Sequence, residues 1–442
     1  MVGTAAALVL TNLGAPALHD WDEATYATVA RGMLEGGSWL SPTLGGRYFP
    51  HKPPLLYWMM ALSGRLFGPS EFAFRLPSAL AAVIGVYVVM ALGRRLGGRG
   101  AGLLAGIILA TAPQWLRLGR QAMLDVPLAV ALAVAFLGLV ESSALIFGVA
   151  FGVALLVKGP AALTGLAVAG AWAALSGRRE RIVVAKGAAI GLLIAAPWHL
   201  QQLATHGRTF LDYYLGFNVL GRILVPLEGH GAPPWFYLER IFTHWLNPWH
   251  WIGAIVVVAA TRRAVVRRFG RLDGLLVLAV WIPILLFSLA KTRLAWYIEP
   301  VYPPLAVLTA CGICEAATRW SVASWTTIVL VVVTLGQSVA FIALGAGQSR
   351  DAEQTRAILA QLPPVHDAPI LFVMNPIPYE TARFYARRPL AALDAGASAP
   401  VDAWILARPD DLVSLPGRAI IASGADRVLL GPRQALVTGD PE

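Results

Sequence analysis

The sequence predicts a polytopic α-helical membrane protein of about eleven spans, with interfacial helices and a small C-terminal α/β domain. Composition, run length and a change of pattern near residue 350 carry that prediction. Of 442 residues, 57% are hydrophobic and only 14% charged. The apolar runs are about 16–20 residues long and nearly free of charge, close to the length that crosses hydrocarbon. They do not alternate apolar with polar positions, which excludes a β-barrel. After residue 350, short amphipathic helices alternate with four- or five-residue apolar strands.

The opening run, Met1–Leu18, lacks a basic n-region and a small-residue cleavage site, so it reads as a first span and not a removed signal. Residues 18–75 form the first polar loop. In it Asp20-Trp21-Asp22-Glu23 starts a helix, because acids favour the positive end of the helix dipole. Ala24, Ala27, Ala30 and Leu34 extend it to Gly36-Gly37. Leu55–Phe67 is apolar but too short to cross, and is predicted to lie in the interface. Spans follow at 76–93, 101–117, 126–141, 143–158, 160–175, 186–203, 241–260, 274–290, 298–317 and 321–345. The aromatic-rich loop 204–240 contains a second interfacial element. In the tail, helices are predicted at Ala352–Gln361 and Tyr379–Arg387, with strands at Ile370–Met374, Ala403–Leu406, Ala419–Ala422 and Arg427–Leu430. Residues 1–345 thus form a membrane domain, and 350–442 a separate α/β domain on the outer face.

Arginine placement sets the sides. Arg94, Arg95 and Arg99, then Arg178, Arg179, Arg181 and Lys186, then Arg262, Arg263, Arg267, Arg268 and Arg271, then Arg319 fall on one face if Leu55–Phe67 does not cross. That face is cytoplasmic by the positive-inside rule. The opposite face collects residues 18–75, the turn at 115–125, the Lys158-Gly159-Pro160 turn, the 204–240 loop, residues 291–299 and the tail. A net charge of +10 is accounted for by these loops, so nucleic acid is not an expected partner. Cys311 and Cys314, spaced CxxC in an apolar helix, are read as packing residues.

The polar residues on the outer face are the candidates for chemistry. Asp22 and Glu23 are candidate catalytic carboxylates. Capping suits Glu23, which leaves Asp22 the better general base. Asp125 stands at another outer helix start, where an ionisable group at a span end is a functional candidate by default. Three of the four lysines, Lys52, Lys158 and Lys291, sit on the outer face, where the positive-inside rule does not ask for them. With Arg293 they would form a cationic pocket suited to a phosphate or diphosphate leaving group. His51 and His230 share that face and are candidate metal ligands, so a divalent metal stays open. No nucleotide-binding motif is present, and no organic cofactor is expected.

Four motifs occur in order: the Asp22-Glu23 pair after the first span, Lys52-Pro-Pro-Leu-Leu-Tyr57-Trp58, Lys158-Gly-Pro160, and Lys291-x-x-Leu294-x-Trp296-Tyr297-Ile298-x-Pro300. Together, over about residues 18–305, they resemble the ArnT-like and protein-mannosyltransferase-like superfamily of GT-C glycosyltransferases. The resemblance implies a GT-C-like membrane enzyme that takes a sugar from a polyprenyl-phosphate donor on the periplasmic side, with inversion. Asp22 would then be the essential carboxylate and Asp125 the second outer-face acid. Lys52 would hold the donor phosphate, helped by Lys291 or Arg293 and by Tyr297, with Tyr57 and Lys158 among the substrate contacts and His230 matching a metal-site histidine. Two positions depart from the ArnT pattern: His51 stands where a glutamate usually precedes Lys-Pro, and Thr25 where an arginine is common. The implied partners are the polyprenyl-phosphate-sugar donor, an envelope glycolipid, glycan or protein acceptor, and membrane lipids of the inner membrane. A flippase for a polyprenyl-linked sugar and a glycan ligase are the other classes the charge pattern allows.

Overall fold

The structure is a computed structural model that describes all residues except 242–247, 267–271, 320, 346–348, 363–370, 375–378, 387–389, 394–399, 401–402, 425–426 and 434–442. Its first helix, α1 (Val2–Leu10), is followed by the juxtamembrane helix α2 (Asp22–Leu34), whose length and start match the sequence expectation. A two-stranded hairpin, β1 (Thr43–Leu44) and β2 (Arg47–Tyr48), leads to α3 (Leu55–Phe67), a short apolar helix over the residues expected to form one.

The expected spans 76–93 and 101–117 are one helical run, α4 (Glu71–Ala110), broken at Gly98, where φ is +83°. Glycine has no Cβ to oppose that left-handed backbone, so the chain reverses there inside two abutting helices. The segment then continues as a separate short helix, α5 (Pro113–Gly119), because Pro113 cannot donate to the preceding turn. There follow α6 (Asp125–Val140), α7 (Ala144–Lys158), α8 (Leu163–Ser176) and α9 (Arg178–Leu211). The expected loop 204–240 is largely helical: a ten-residue π-helix at Asp212–Gly221, α10 (Arg222–Leu224) and α11 (Phe236–Arg240). The bundle closes with α12 (His250–Val266), α13 (Leu272–Leu289), α14 (Tyr302–Ala317) and α15 (Ser321–Ala343). The beginning of the expected 241–260 span lies outside the described residues, as do Arg267, Arg268 and Arg271.

Five of the described helical stretches, 71–110, 144–176, 178–224, 295–317 and 325–343, are long and apolar enough to cross a membrane. Large side chains on the outside of the bundle, such as Leu193, Ile255, Val266 and Leu289, are more than two-thirds exposed, a surface suited to lipid and not to water. One end of the bundle gathers the arginine turns. Arg95 pairs with Glu141 at 2.9 Å, Arg263 with Glu315 at 2.8 Å, and Arg319 with the same glutamate at 3.3 Å. The free thiols of Cys311 and Cys314 stand over Gly97 and Gly100 at that end.

The tail carries α16 (Arg350–Leu359), β3 (Leu371–Met374), α17 (Tyr379–Ala386), β4 (Leu390–Leu393), β5 (Trp404–Ala407), β6 (Arg418–Ser423) and β7 (Val428–Arg433). These strands form one sheet in the order β4-β3-β5-β7-β6, parallel across β4-β3-β5 and antiparallel beyond. Strand β4 was not expected, since Leu390-Ala-Ala-Leu carries no β-branched or aromatic residue.

The tail docks on the first loop through specific bonds. Arg31 donates to the Phe384 carbonyl at 2.5 Å, the Thr381 amide to Asp20 at 2.8 Å, and the Ala17 amide to Glu353 at 2.6 Å. These contacts set α17 against α2 and bring its first residues to the rim of the site.

Candidate active site

The cavity beside α2 has a volume of about 540 Å³. Its walls come from every segment that the charge pattern assigns to one face: 19–26, 44–52, 117–123, Lys158, 222–230 and 294–297, with Tyr379 and Glu380 from the tail. Asp22, Lys52 and Lys158, separated by up to 136 positions in the chain, line this one space.

Asp22 is the first residue of α2. The residue before it, Trp21, has φ +65° and is 65% exposed. A positive φ at a tryptophan costs about 1–3 kcal/mol, so the backbone is strained at the residue that introduces Asp22. The buried Tyr26, one turn on, presents its hydroxyl to Asp22; burial and then the Asp22 charge push that phenol well above its ordinary range, so it stays a protonated donor.

Glu23, expected both as a cap and as a second catalytic carboxylate, has a different place. It is buried, and Arg75 donates to both its oxygens, at 2.7 and 3.1 Å. The amides of His19 and Ala122 donate to the same carboxylate at 2.8 and 2.9 Å. Burial opposes its charge, but Arg75 and these donors win and hold its pKa below the usual carboxylate value. Glu23 therefore anchors the first loop to α4 and to the turn before α6.

The expected cationic pocket is also corrected in its membership. Lys52 and Lys158 line the cavity, but Lys291 is exposed and outside it. Arg293 turns away, with its guanidinium bonded to the carbonyls of Ala232 and Ser288. Arg222, which the sequence reading passed over, takes their place. It donates to the Tyr297 hydroxyl at 3.0 Å and meets Glu228 at 3.3 Å. Tyr297 is on the wall as expected, with its ring 5.3 Å from the Lys158 ammonium.

Asp125 does not face the cavity. It is 2% exposed and pairs with Lys158, whose charge it offsets. Tyr57 is fully buried behind Tyr26, with ring centroids 5.8 Å apart, and contributes no wall.

The turn after Lys158 is rigid for a steric reason. Gly159 has φ +55°, and a Cβ there would stand 2.1 Å from the Tyr214 hydroxyl, which contacts His199 at 2.7 Å. Gly159→Ala is expected to cost about 1–3 kcal/mol, read as a lowered Tm in detergent micelles, because neither the backbone nor the tyrosine has room to adapt.

Lys52 reaches Asn218 of the π-helix at 3.3 Å and otherwise faces the cavity. Loss of water, then repulsion from Lys158, lowers its pKa to about 8. An anion bound beside it favours the charged form. Affinity for a phosphate is thus expected to be highest below pH 8 and to fall by up to about tenfold per pH unit above it. Titration of phosphate monoester binding between pH 6.5 and 9.5 reads this directly, and Lys52→Met should flatten the profile.

His51 and His230 both line the cavity. The His51 ring stacks on Phe49 at 4.2 Å, and burial with Lys52 and Arg222 nearby pushes it down to about 4, so it is neutral at physiological pH. Among the described residues no group of three or more His, Cys, Asp or Glu side chains is placed to hold a metal ion. With two cations beside His51, this donor set does not fit a divalent cation.

Residues 51–200 match the family model for dolichyl-phosphate-mannose-protein mannosyltransferase. The chain is 32% identical over 312 residues to the undecaprenyl phosphate-alpha-4-amino-4-deoxy-L-arabinose arabinosyl transferase of Erwinia tasmaniensis, covering 66% of this chain and 55% of the relative. It is 32% identical over 307 residues to the Edwardsiella ictaluri protein of the same name, covering 65% and 54%. The chain thus spans about half the length of the curated relatives it matches. In fold it is similar to the crystal structure of ArnT from Cupriavidus metallidurans bound to undecaprenyl phosphate, with TM-score 0.78 and 19% identity over 100% of this chain and 98% of that one. It is also similar to the oligosaccharyltransferase AglB of Archaeoglobus fulgidus, with TM-score 0.62 and 12% identity over 88% and 63%. The chain is thus similar in sequence to these arabinosyl transferases over about two thirds of its own length, and it shares the fold of ArnT over the whole of it.

Proposed function

We propose that this protein is an inverting, polyprenyl-phosphate-sugar-dependent glycosyltransferase. It moves a hexosyl or pentosyl group onto an envelope acceptor (a lipid A-like glycolipid, a glycan or a protein) at the periplasmic face of the inner membrane. The observation that carries the reading is the single cavity in which Asp22 meets Lys52, Lys158 and Arg222.

The chemistry needs an anion site and a base on the same side of the membrane. Lys52 and Arg222 receive the donor phosphate, with the Tyr297 hydroxyl aligned by Arg222. The acceptor oxygen attacks the anomeric carbon as the bond from that carbon to the phosphate oxygen breaks. Its electron pair leaves with the polyprenyl phosphate, whose growing charge the two cations stabilise. Asp22 takes the proton of the acceptor hydroxyl, which contributes about 10²–10⁴-fold. Lys158, balanced by Asp125, shapes the floor. The arabinosyl transfer from an undecaprenyl phosphate carrier, named for the bacterial relatives, is the same class of reaction and supports the assignment.

In this reading α1, the two halves of α4, α6, α7, α8, α9, α12, α13, α14 and α15 are eleven crossings. The tail then lies outside the membrane, and Tyr379 and Glu380 give it a place on the acceptor side of the cavity. Mass spectrometry of envelope lipids and glycans, with and without the protein, tests the proposal. A sugar-sized mass on one envelope component, present only with the active protein, is expected; an unchanged envelope would contradict it.

A further inference from the structure

A second, smaller cavity of about 140 Å³ lies between the end of α1, the turn after α5 and the last residues of α15. It shares His19, Arg117 and Gln121 with the wall of the large cavity, and beyond them it is lined by Asn12, Arg120, Phe341, Ile342 and Ala343, which the large cavity does not touch. Three guanidinium groups line it, and their situations differ. Arg75 is fully occupied by Glu23 and by the carbonyls of Leu13, Pro16 and Ala17, so it is wall and not ligand.

Arg117 and Arg120 have no such closure. Arg117 donates to Gln114 at 2.9 Å, and Arg120 donates from one terminal nitrogen to the carbonyls of Leu8 and Val9 at 3.0 and 2.8 Å. Among the described residues neither has a carboxylate within ion-pair distance. Glu299 is the one acid whose charge reaches Arg117, and the charged neighbour acting on Arg120 is another arginine, Arg75. Two half-buried arginines without a counterion, around a space the size of a phosphate group, lack an anion. The planar fork of arginine matches phosphate oxygens in pairs.

The surroundings say where the anion comes from. Only 11% of the apolar window of α15 is buried within the protein, so this helix faces lipid, and its end supplies Phe341 and Ile342 to the cavity. We infer that the cavity binds the phosphate of an anionic membrane lipid, at a site separate from Lys52 and Arg222. The lipid enters between α1 and α15, with its headgroup on Arg117 and Arg120 and its chains along α15.

Native mass spectrometry tests this on the full-length protein in detergent, first saturated with undecaprenyl phosphate so that the large cavity is filled. Phosphatidylglycerol, a phosphorylated glycolipid, diacylglycerol and inorganic phosphate are then titrated separately. One further anionic lipid is expected to bind, whichever of the two is tighter, with at least tenfold weaker binding in Arg120→Gln. Ala343→Trp, which fills the cavity from an exposed position without changing charge, should have the same effect. Unchanged Tm and undecaprenyl phosphate affinity in both variants would show that the fold and the large cavity are intact. Equal binding of diacylglycerol, or binding undiminished in both variants, would overturn the site. Inorganic phosphate binding as tightly as the lipids would overturn its assignment to a lipid.

Discussion

Replacing Asp22 by asparagine is expected to reduce sugar transfer by at least about 10²–10⁴-fold while leaving the protein folded and able to bind undecaprenyl phosphate. The amide keeps the size of the carboxylate and its acceptor oxygen toward Tyr26, but it cannot take a proton. Asp22 makes no ion pair among the described residues, so its loss leaves no buried cation uncompensated. The measurement is transfer from a labelled polyprenyl-phosphate sugar by the purified variant, with Tm and donor-phosphate affinity measured in parallel. Full activity in the variant would remove the carboxylate from the mechanism.

The neighbouring carboxylate predicts the opposite signature. Arg75→Ala should destabilise the fold by about 3–5 kcal/mol, because it strands Glu23 as a buried charge. It also leaves the carbonyls of Leu13, Pro16 and Ala17 without their donor. Against a total stability of about 5–15 kcal/mol, that is enough to lose the protein from the membrane. Removing both charges, as in Glu23→Gln with Arg75→Met, should recover part of the loss, because the stranded charge is the largest part of the cost. The check is protein yield and Tm for the single and double variants. A single variant as stable as the parent would show that this ion pair does not hold the first loop to α4.

Much of this architecture is legible in the chain, for identifiable reasons. Acids before an apolar repeat fix the start of α2, and run length marks Leu55–Phe67 as too short to cross. The arginine clusters sort the loops so well that the cavity draws its whole wall from the predicted outer face and the tail. What sequence spacing cannot give is side-chain direction. Lys291 and Arg293 sit in a matching motif, yet the backbone there bonds to Ile223 and His230, and that pairing turns both away from the cavity. Arg222 was hidden by its setting: an arginine among Leu220, Ile223 and Leu224 looks like one of many loop arginines. Only the π-helix, which displaces the register of that segment, puts it over the site. Glu23 shows a third limit, since its true partner is 52 residues away. Helix-start chemistry accounts for an acid at that position without revealing the buried arginine.

The central claim is that Lys52 and Arg222 grip a lipid-borne phosphate in the cavity that Asp22 faces. The affinity of the purified protein for undecaprenyl phosphate, compared with that of Lys52→Met and Arg222→Met, tests it most directly. Each substitution is expected to weaken binding by about 30-fold or more, the effect of removing one partner from a close charge pair worth about 2 kcal/mol or more. Affinity unchanged in both variants would contradict the account.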